Sequence, residues 1–495
     1  MSATAPGRDR AVPPAPAATS PSRRRGLRTP RLDSLFVAAL VLFGFRLGVR
    51  PIGDNSMFTH LRTGADMMGG RGIPRTDPYS FTAAGHRWVV QSWLPEWTYG
   101  WAERLGGFRL VVLEQALLCA LLALVIVRLA RAGSPLRTAL AGGVAVGAGA
   151  GFWSPRPLLF ALLCMALLLT VVERRRSPWL LVPLVWLWVQ SHGSFPLGLA
   201  WLGARAVGEW LDWRAWPDDA MRYVGGFVAG LAVSVVNPLG ARLLLFPFTL
   251  AEKRSAFTAI LEWRSPDFQS PEGRFSLVFL VVALALLLRV RLSWRDLVPV
   301  VVFLGAALVA MRNLPVAAVV LAPVLGRALR RPEGATPRRA AAAALPPPTR
   351  LRLNRALLGT IVAAFLVFAA SIWIGEPLRL GPYPEEAVSF MGDAGLLGPG
   401  HRIAHQDFVG NYLTLRYGRR VKVFIDDRYD MFPASVSADY RTLLGGRADF
   451  ATVLDRRRID VVVWERNLAA ASILRVSGNW RQVYRDADWV VYRRA

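Results

Sequence analysis

The stretch GFRLVVLEQALLCALLALVIVRLARAGSPLR, residues 107–137, holds an apolar run at 109–131 that closes on Arg128, Arg131 and Arg137. A run of this length suits the hydrocarbon core of a bilayer, about 30 Å thick. Lys and Arg in short loops favour the cytoplasmic side, so this run reads as a crossing that returns the chain to the inside. Similar runs lie at 34–50, 138–153, 157–172, 178–190, 195–209, 222–237, 275–290, 296–311, 313–329 and 354–374. Together they predict a mainly α, polytopic transmembrane bundle of about eleven helices, the shorter runs being tilted or half-buried neighbours.

Loop charge checks that count. With Arg23, Arg24 and Arg25 inside, the inward returns carry Arg128, Arg131 and Arg137, then ERRRSP, then Arg205, Arg214 and Arg222. Arg289, Arg291 and Arg295 follow, and last the segment GRALRRPEGATPRRAAAAALPPPTRLRLNR. Every short basic loop falls on one side, as the positive-inside bias requires. An odd number of crossings leaves the N-terminus cytoplasmic and places 51–108, 238–274 and 375–495 outside.

Composition agrees. The chain has 495 residues, 53% of them hydrophobic, and a formal net charge of +26. In a soluble protein that charge would point to nucleic acid. Here the basic clusters flank apolar runs, which argues against a nucleic-acid partner and for membrane lipids. The two cysteines, Cys119 and Cys164, lie within apolar runs, so neither a disulfide framework nor a Cys metal site is expected. Residues 1–33, rich in Pro, Ala, Ser and Arg, read as a disordered basic tail. The first apolar run starts late and lacks a small-residue cleavage site, so it is expected to remain as a helix.

Three regions follow: the tail 1–33, a membrane region 34–374 with the large outer loop 51–108, and an extracytoplasmic region 375–495. In the last, HRIAHQ, VKVFID, IDVVVWE, RQVYRD and DWVVYRR read as strands, and ASVSADYRTLLGG and FATVLDRRR as helices. A small α/β domain fits this alternation.

Polar chemistry gathers on the predicted outer side. All five histidines, His60, His86, His192, His401 and His405, map there, with Asp54, Asp77, Glu96, Arg156, Asn237, Glu262 and Arg312. Ionisable groups at a membrane edge are costly and often functional, although outer loops also collect the hydrophilic residues that helices exclude. GDNSMFTHLRTG, residues 53–64, reads as the start of an amphipathic interfacial helix, with Asp54 either an N-cap or part of a site. Asp77-Pro78 is a turn signal. Trp88, Trp93, Trp97 and Trp101 read as an interface belt, with sugar stacking as the alternative. His192 has small neighbours, Gly193 and Ser194, that leave it accessible. Arg156 and Arg312 oppose the usual charge bias, and bidentate phosphate binding or a salt bridge explains each equally well. Asp426 and Asp427 in VFIDDRYD read as a strand-to-helix turn, not as a nucleotide-sugar site.

GDNSMFTHLRTG, GIPRTDPYSFTAAGHRWVVQSWLPEW, WVQSHGSFPLG, VNPLG and LEWRSPDF together resemble a family of bacterial multi-pass membrane proteins similar to the GT-C glycosyltransferases. The resemblance covers most of the membrane region. It implies sugar transfer, usually inverting, from a polyprenyl-phosphate donor at the outer membrane face to an envelope lipid, glycan or protein. By that likeness Asp54 is the essential acidic residue of the first outer loop, acting as base or helping to hold a metal. Where relatives carry a second acid two residues later, this chain has Ser56.

The expected catalytic residues are therefore Asp54 and His60, and the expected substrate-binding residues are Arg62, Glu96, Arg156, His192, Asn237 and Arg312. A divalent cation is one way to stabilise the leaving phosphate, but no ligand set for a cofactor can be read from the spacing. A non-catalytic envelope scaffold is the alternative, favoured by Ser56. A transporter or flippase fits less well, since no charged residue deep in a helix marks an ion path.

Overall fold

Leu-, Ala- and Val-rich runs satisfy their backbone groups within a helix, which suits an apolar surround. A computed structural model describes residues 31–253, 261–330 and 347–495. The expectations for tail residues 1–30 and for 331–346 of the long basic loop lie outside the described residues. Each apolar run named above is largely helical, from Leu32–Gly48 to Pro347–Ile374. Two of these helices, Trp93–Leu129 and Pro347–Ile374, are long and apolar enough to cross a membrane. Leu158–Glu173, like several others, is apolar but shorter. Large apolar side chains face outward on many of them, including Leu366, Val281, Leu288 and Val301.

The helices have two chemically distinct ends. At one, Arg327 bridges Glu173 and Asp296, each at 2.7 Å, and Arg205 reaches Glu173 at 2.8 Å. Arg131, Arg174 and Arg176 lie at this end as well, where Arg330 donates to the Arg131 carbonyl. The opposite end gathers the first loop, the 151–157 turn, the 190–195 turn and the 310–313 turn. Gly193 N–H donates to Gln91 Oε1 at 2.8 Å, and Trp93 Nε1 to Gln190 Oε1 at 3.0 Å.

The C-terminal region carries a four-stranded sheet ordered β1-β2-β4-β3: β1 Ile403–Ala404, β2 Val461–Glu465, β3 Trp480–Arg485 and β4 Trp489–Arg494. β1 runs parallel to β2, while β4 is antiparallel to both β2 and β3. The VKVFID segment differs from its expectation. Its hydrogen-bonding partner is the first loop, with Phe81 N–H donating to the Val423 carbonyl at 3.1 Å and Val423 N–H to the Tyr79 carbonyl at 3.0 Å. It therefore forms a bridge and not a sheet strand.

First loop and C-terminal region share one core. Ile52, Met57, Phe58 and Leu61 pack with Tyr383, Tyr412, Val423 and Val491. Polar cement joins them too: the buried Arg428 guanidinium contacts Asp77 at 2.9 Å and Asp426 at 2.6 Å, and lies over the Trp88 ring at 4.4 Å.

Two glycines set the approach of the Asn55–Asp66 helix to the Trp93–Leu129 helix. A Cβ on Gly64 would collide with the Glu96 carbonyl, and one on Gly100 with the Gly64 backbone. The longer helix then breaks at Gly106 and Gly107, where φ of +66° at Gly107 favours glycine.

Candidate active site

Asp54 caps the Asn55–Asp66 helix, its Oδ1 accepting from Ser56 N–H at 3.1 Å. Its other oxygen accepts from Arg156 Nε at 2.6 Å. Capping and site membership, separate readings of the sequence, thus coexist in one side chain. Arg156 comes from the SPRP turn that precedes the Leu158–Glu173 helix and also reaches Glu262 at 3.1 Å. Burial alone would lower the Arg156 pKa, but the charges of Asp54 and Glu262 raise it, so the guanidinium is firmly cationic.

One turn along the same helix, His60 Nδ1 lies 2.6 Å from Glu96 Oε1. Burial opposes a charged imidazole here, yet the hydrogen bond to Glu96 and the charges of Glu96 and Asp427 leave its pKa raised. With Nδ1 engaged, Nε2 is the nitrogen that can face a substrate. The other Glu96 carboxylate oxygen is buried without a hydrogen-bond partner among the described residues.

His192 ends the Leu181–Ser191 helix. Ser194 N–H donates to its Nδ1 at 3.1 Å, which places the ring proton on Nε2. Burial, then the charges of Arg312 and His60, push its pKa down to about 3, so it is a neutral donor. Arg312, in the short Met311–Asn313 turn, stacks over the Trp263 ring at 4.1 Å. It is half-buried and forms no ion pair among the described residues; burial lowers its pKa, Glu262 opposes that and Arg156 adds to it.

The residue that sequence reasoning set aside is Asp427. Its neighbours face away from the site: Asp426 is held by Arg428, and Phe424 N–H donates to His405 Nε2 at 3.0 Å. Asp427 is left outside that cluster, close enough to Ser56, His60 and Arg156 for each of them to favour its ionised form. Burial, then the Asp426 charge, raise its pKa to about 6 despite those three opposing influences. A faint signal was present in Ser56, which stands where a second acid was expected.

The remaining candidates lie apart. Arg62 pairs with Asp66 at 2.9 Å, a buried carboxylate that Arg71 and Arg419 also contact. Asn237 is engaged in its own turn, donating to the Ser234 carbonyl at 2.7 Å and accepting from Leu239 N–H at 2.6 Å. His405 is a core residue, and His401 pairs with Asp460. Of the tryptophans, Trp97 and Trp101 are exposed one helical turn apart, Trp93 is half-buried and donates to Gln190, and Trp88 is buried against Arg428. Among the described residues no group of three or more His, Cys, Asp or Glu side chains is placed to hold a metal ion. With both Asp54 oxygens engaged, by Ser56 N–H and by Arg156, the described residues do not fit a divalent cation.

No family model and no curated protein matches the chain. Among solved structures, the apo Archaeoglobus fulgidus oligosaccharyltransferase is similar over 87% of this chain and 69% of its own, with a TM-score of 0.54 and 10% identity. The same enzyme in complex with Zn and sulfate gives a TM-score of 0.51 at 14% identity, over 87% of this chain and 68% of that one. ArnT from Cupriavidus metallidurans, bound to undecaprenyl phosphate, aligns over 92% of this chain and 97% of its own at 16% identity, with a TM-score of 0.47. At these identities the likeness to the oligosaccharyltransferase is one of fold: a mainly helical chain with a small C-terminal sheet.

Proposed function

We propose that the chain is a multi-pass membrane glycosyltransferase that moves a sugar from a polyprenyl-phosphate donor to an envelope lipid, glycan or protein at the outer membrane face. In this reading the eleven apolar helices cross the bilayer, the shorter ones aided by polar ends that draw the lipid headgroups inward. The basic end faces the cytoplasm, and the site and residues 375–495 face outward.

The observation that carries the reading is Arg312, a half-buried guanidinium that forms no ion pair among the described residues and lies beside Arg156 and His192. A cation taken out of water and left unpaired favours an anion, and a planar guanidinium matches phosphate through two parallel hydrogen bonds. The helix flanks are apolar, so an isoprenoid tail would lie along them while its phosphate reached the arginines. The fold likeness to an oligosaccharyltransferase supports the same chemistry.

In the transfer step an acceptor hydroxyl attacks the anomeric carbon from the face opposite the leaving group, inverting it. Arg312 and Arg156 stabilise the charge that develops on the leaving phosphate. His192 Nε2–H and the His60 imidazole, oriented by Glu96, donate to sugar or phosphate oxygens. The test uses purified protein in proteoliposomes with labelled undecaprenyl-phosphate sugars and envelope extract. Arg312→Ala is expected to lower transfer by about 100-fold, the scale of losing one transition-state donor, and to weaken undecaprenyl phosphate binding. Wild-type transfer and binding in that variant would remove the phosphate role.

A further inference from the structure

The likeness that singles out Asp54 makes it a base, but its geometry is that of an anchor. One oxygen caps a helix through Ser56 N–H, and the other holds Arg156 at 2.6 Å. Taking a proton would break the Arg156 pair, which orients the guanidinium needed by the leaving phosphate.

A second carboxylate lies beside it without such a tie. Asp427 forms no ion pair among the described residues and is only partly covered. It approaches the first loop at Ser56, on the helix that Asp54 caps, and interacts with both His60 and Arg156. Three locked neighbours fix its position: Phe424 on His405, Asp426 on Arg428, and Arg428 on Asp77. A rigid backbone that presents one accessible carboxylate to a cluster of cations is a suitable mount for a proton acceptor.

We infer that Asp427, delivered by the C-terminal region, is the catalytic base of the transfer reaction, while Asp54 is a positioning residue that holds Arg156. The inference rests on the transferase reading above. As the acceptor oxygen forms its bond to the anomeric carbon, its proton passes to the Asp427 carboxylate. The bond from that carbon to the lipid-phosphate oxygen breaks, and its electron pair leaves with the phosphate. Asp427 then returns the proton to water. Ser56, the residue in place of a second acid, orients the carboxylate through its hydroxyl.

The groups facing Asp427 are Ser56 and His60 from the Asn55–Asp66 helix, Arg156 from the 151–157 turn, and Tyr383. From its own segment come Asp426, Tyr429 and Asp430. Their balance leaves the carboxyl near a pKa of about 6, within the range where a base is ionised at neutral pH and still accepts a proton.

The experiment measures consumption of labelled undecaprenyl-phosphate sugars by the full chain in proteoliposomes with envelope extract, from pH 5 to 9, with undecaprenyl phosphate binding measured in parallel. Wild-type kcat is expected to rise with unit slope to a plateau, through a midpoint of about 6. Asp427→Asn should lose at least about 100-fold in kcat and the pH limb with it, while binding undecaprenyl phosphate as the wild type does. Asp427→Glu should recover part of the rate. Asp54→Asn should bind undecaprenyl phosphate more weakly yet keep the limb. The inference is overturned if Asp427→Asn keeps the limb or transfers within a few-fold of wild type. It is also overturned if that variant loses undecaprenyl phosphate binding, which would mark a structural role, or if Asp54→Asn is the variant that erases the limb. A wild-type protein that consumes none of the donors brings down the transferase reading itself, and this inference with it.

Discussion

At the scale of single residues, the two carboxylates of the site differ in what holds them. Asp54 is clamped by a backbone N–H and a guanidinium, while burial and the Asp426 charge hold the Asp427 pKa up at about 6. The second arrangement has a thermodynamic cost. Asp427 has its pKa raised from 3.8 to about 6, so between those values the native state binds more protons than the unfolded chain. Stability from this group is therefore present at low pH and declines as pH rises through that window. Asp427→Asn is expected to be more stable than the wild type by about 3 kcal/mol at pH 7, with a raised melting temperature, and to differ little at pH 4. A thermal shift series across pH reads this directly. Asp54, Glu96, Arg156, His192 and Arg312 were legible because each stands at a helix end on the side the charge pattern marks as outer, and His60 because it lies on the helix that Asp54 caps. Asp427 was not, because an Asp pair after an extended run has the local look of a turn. Nothing in the linear order says that residue 427 lies against residue 56. Arg62 and Asn237 satisfied the same sidedness criterion but are engaged by Asp66 and by a local turn.

Among elements, the Asn55–Asp66 and Trp93–Leu129 helices do the most to shape the site, since one carries His60 and the other Glu96. Their backbones touch at Gly64 and Gly100, where an added methyl has no room. Gly100→Ala is expected to push the helices apart, at a stability cost of about 1–3 kcal/mol typical of overpacking. Stretching the 2.6 Å His60–Glu96 contact should also slow transfer by at least about ten-fold. Gly147→Ala, with open space around its Cβ, is the control expected to do neither. Helices were readable from apolar runs, and β2, β3 and β4 from short alternating or Val-rich segments. VKVFID failed as a strand because its hydrogen-bonding partner is a loop some 340 residues earlier, and pairing across that distance leaves no local pattern.

For the whole molecule, the organising contact is between the first loop and the C-terminal region. Arg428 lies at its centre, buried between Asp77 and Asp426 and enclosed by Tyr79, Trp88 and Phe432. Removing one partner of such a cluster leaves buried charge uncompensated, which costs about 3–5 kcal/mol. Arg428→Met is accordingly expected to release the first loop to protease at temperatures where the wild type resists cleavage, with transfer lost in parallel. Sequence order separated the chain into a membrane part and an α/β part. The shared core of Ile52, Phe58, Tyr383 and Val491 joins them, because apolar faces on both were left without another partner.

That union bears on biosynthesis. Asp54 leaves the ribosome some 370 residues before Asp427, so in the proposed reading a nascent chain whose membrane helices are already made still lacks part of its reactive centre. A chain cut short between 375 and 426 would also lack the Arg428 cluster that holds the first loop, so in that reading turnover would begin only once residues 427 and 428 had been made.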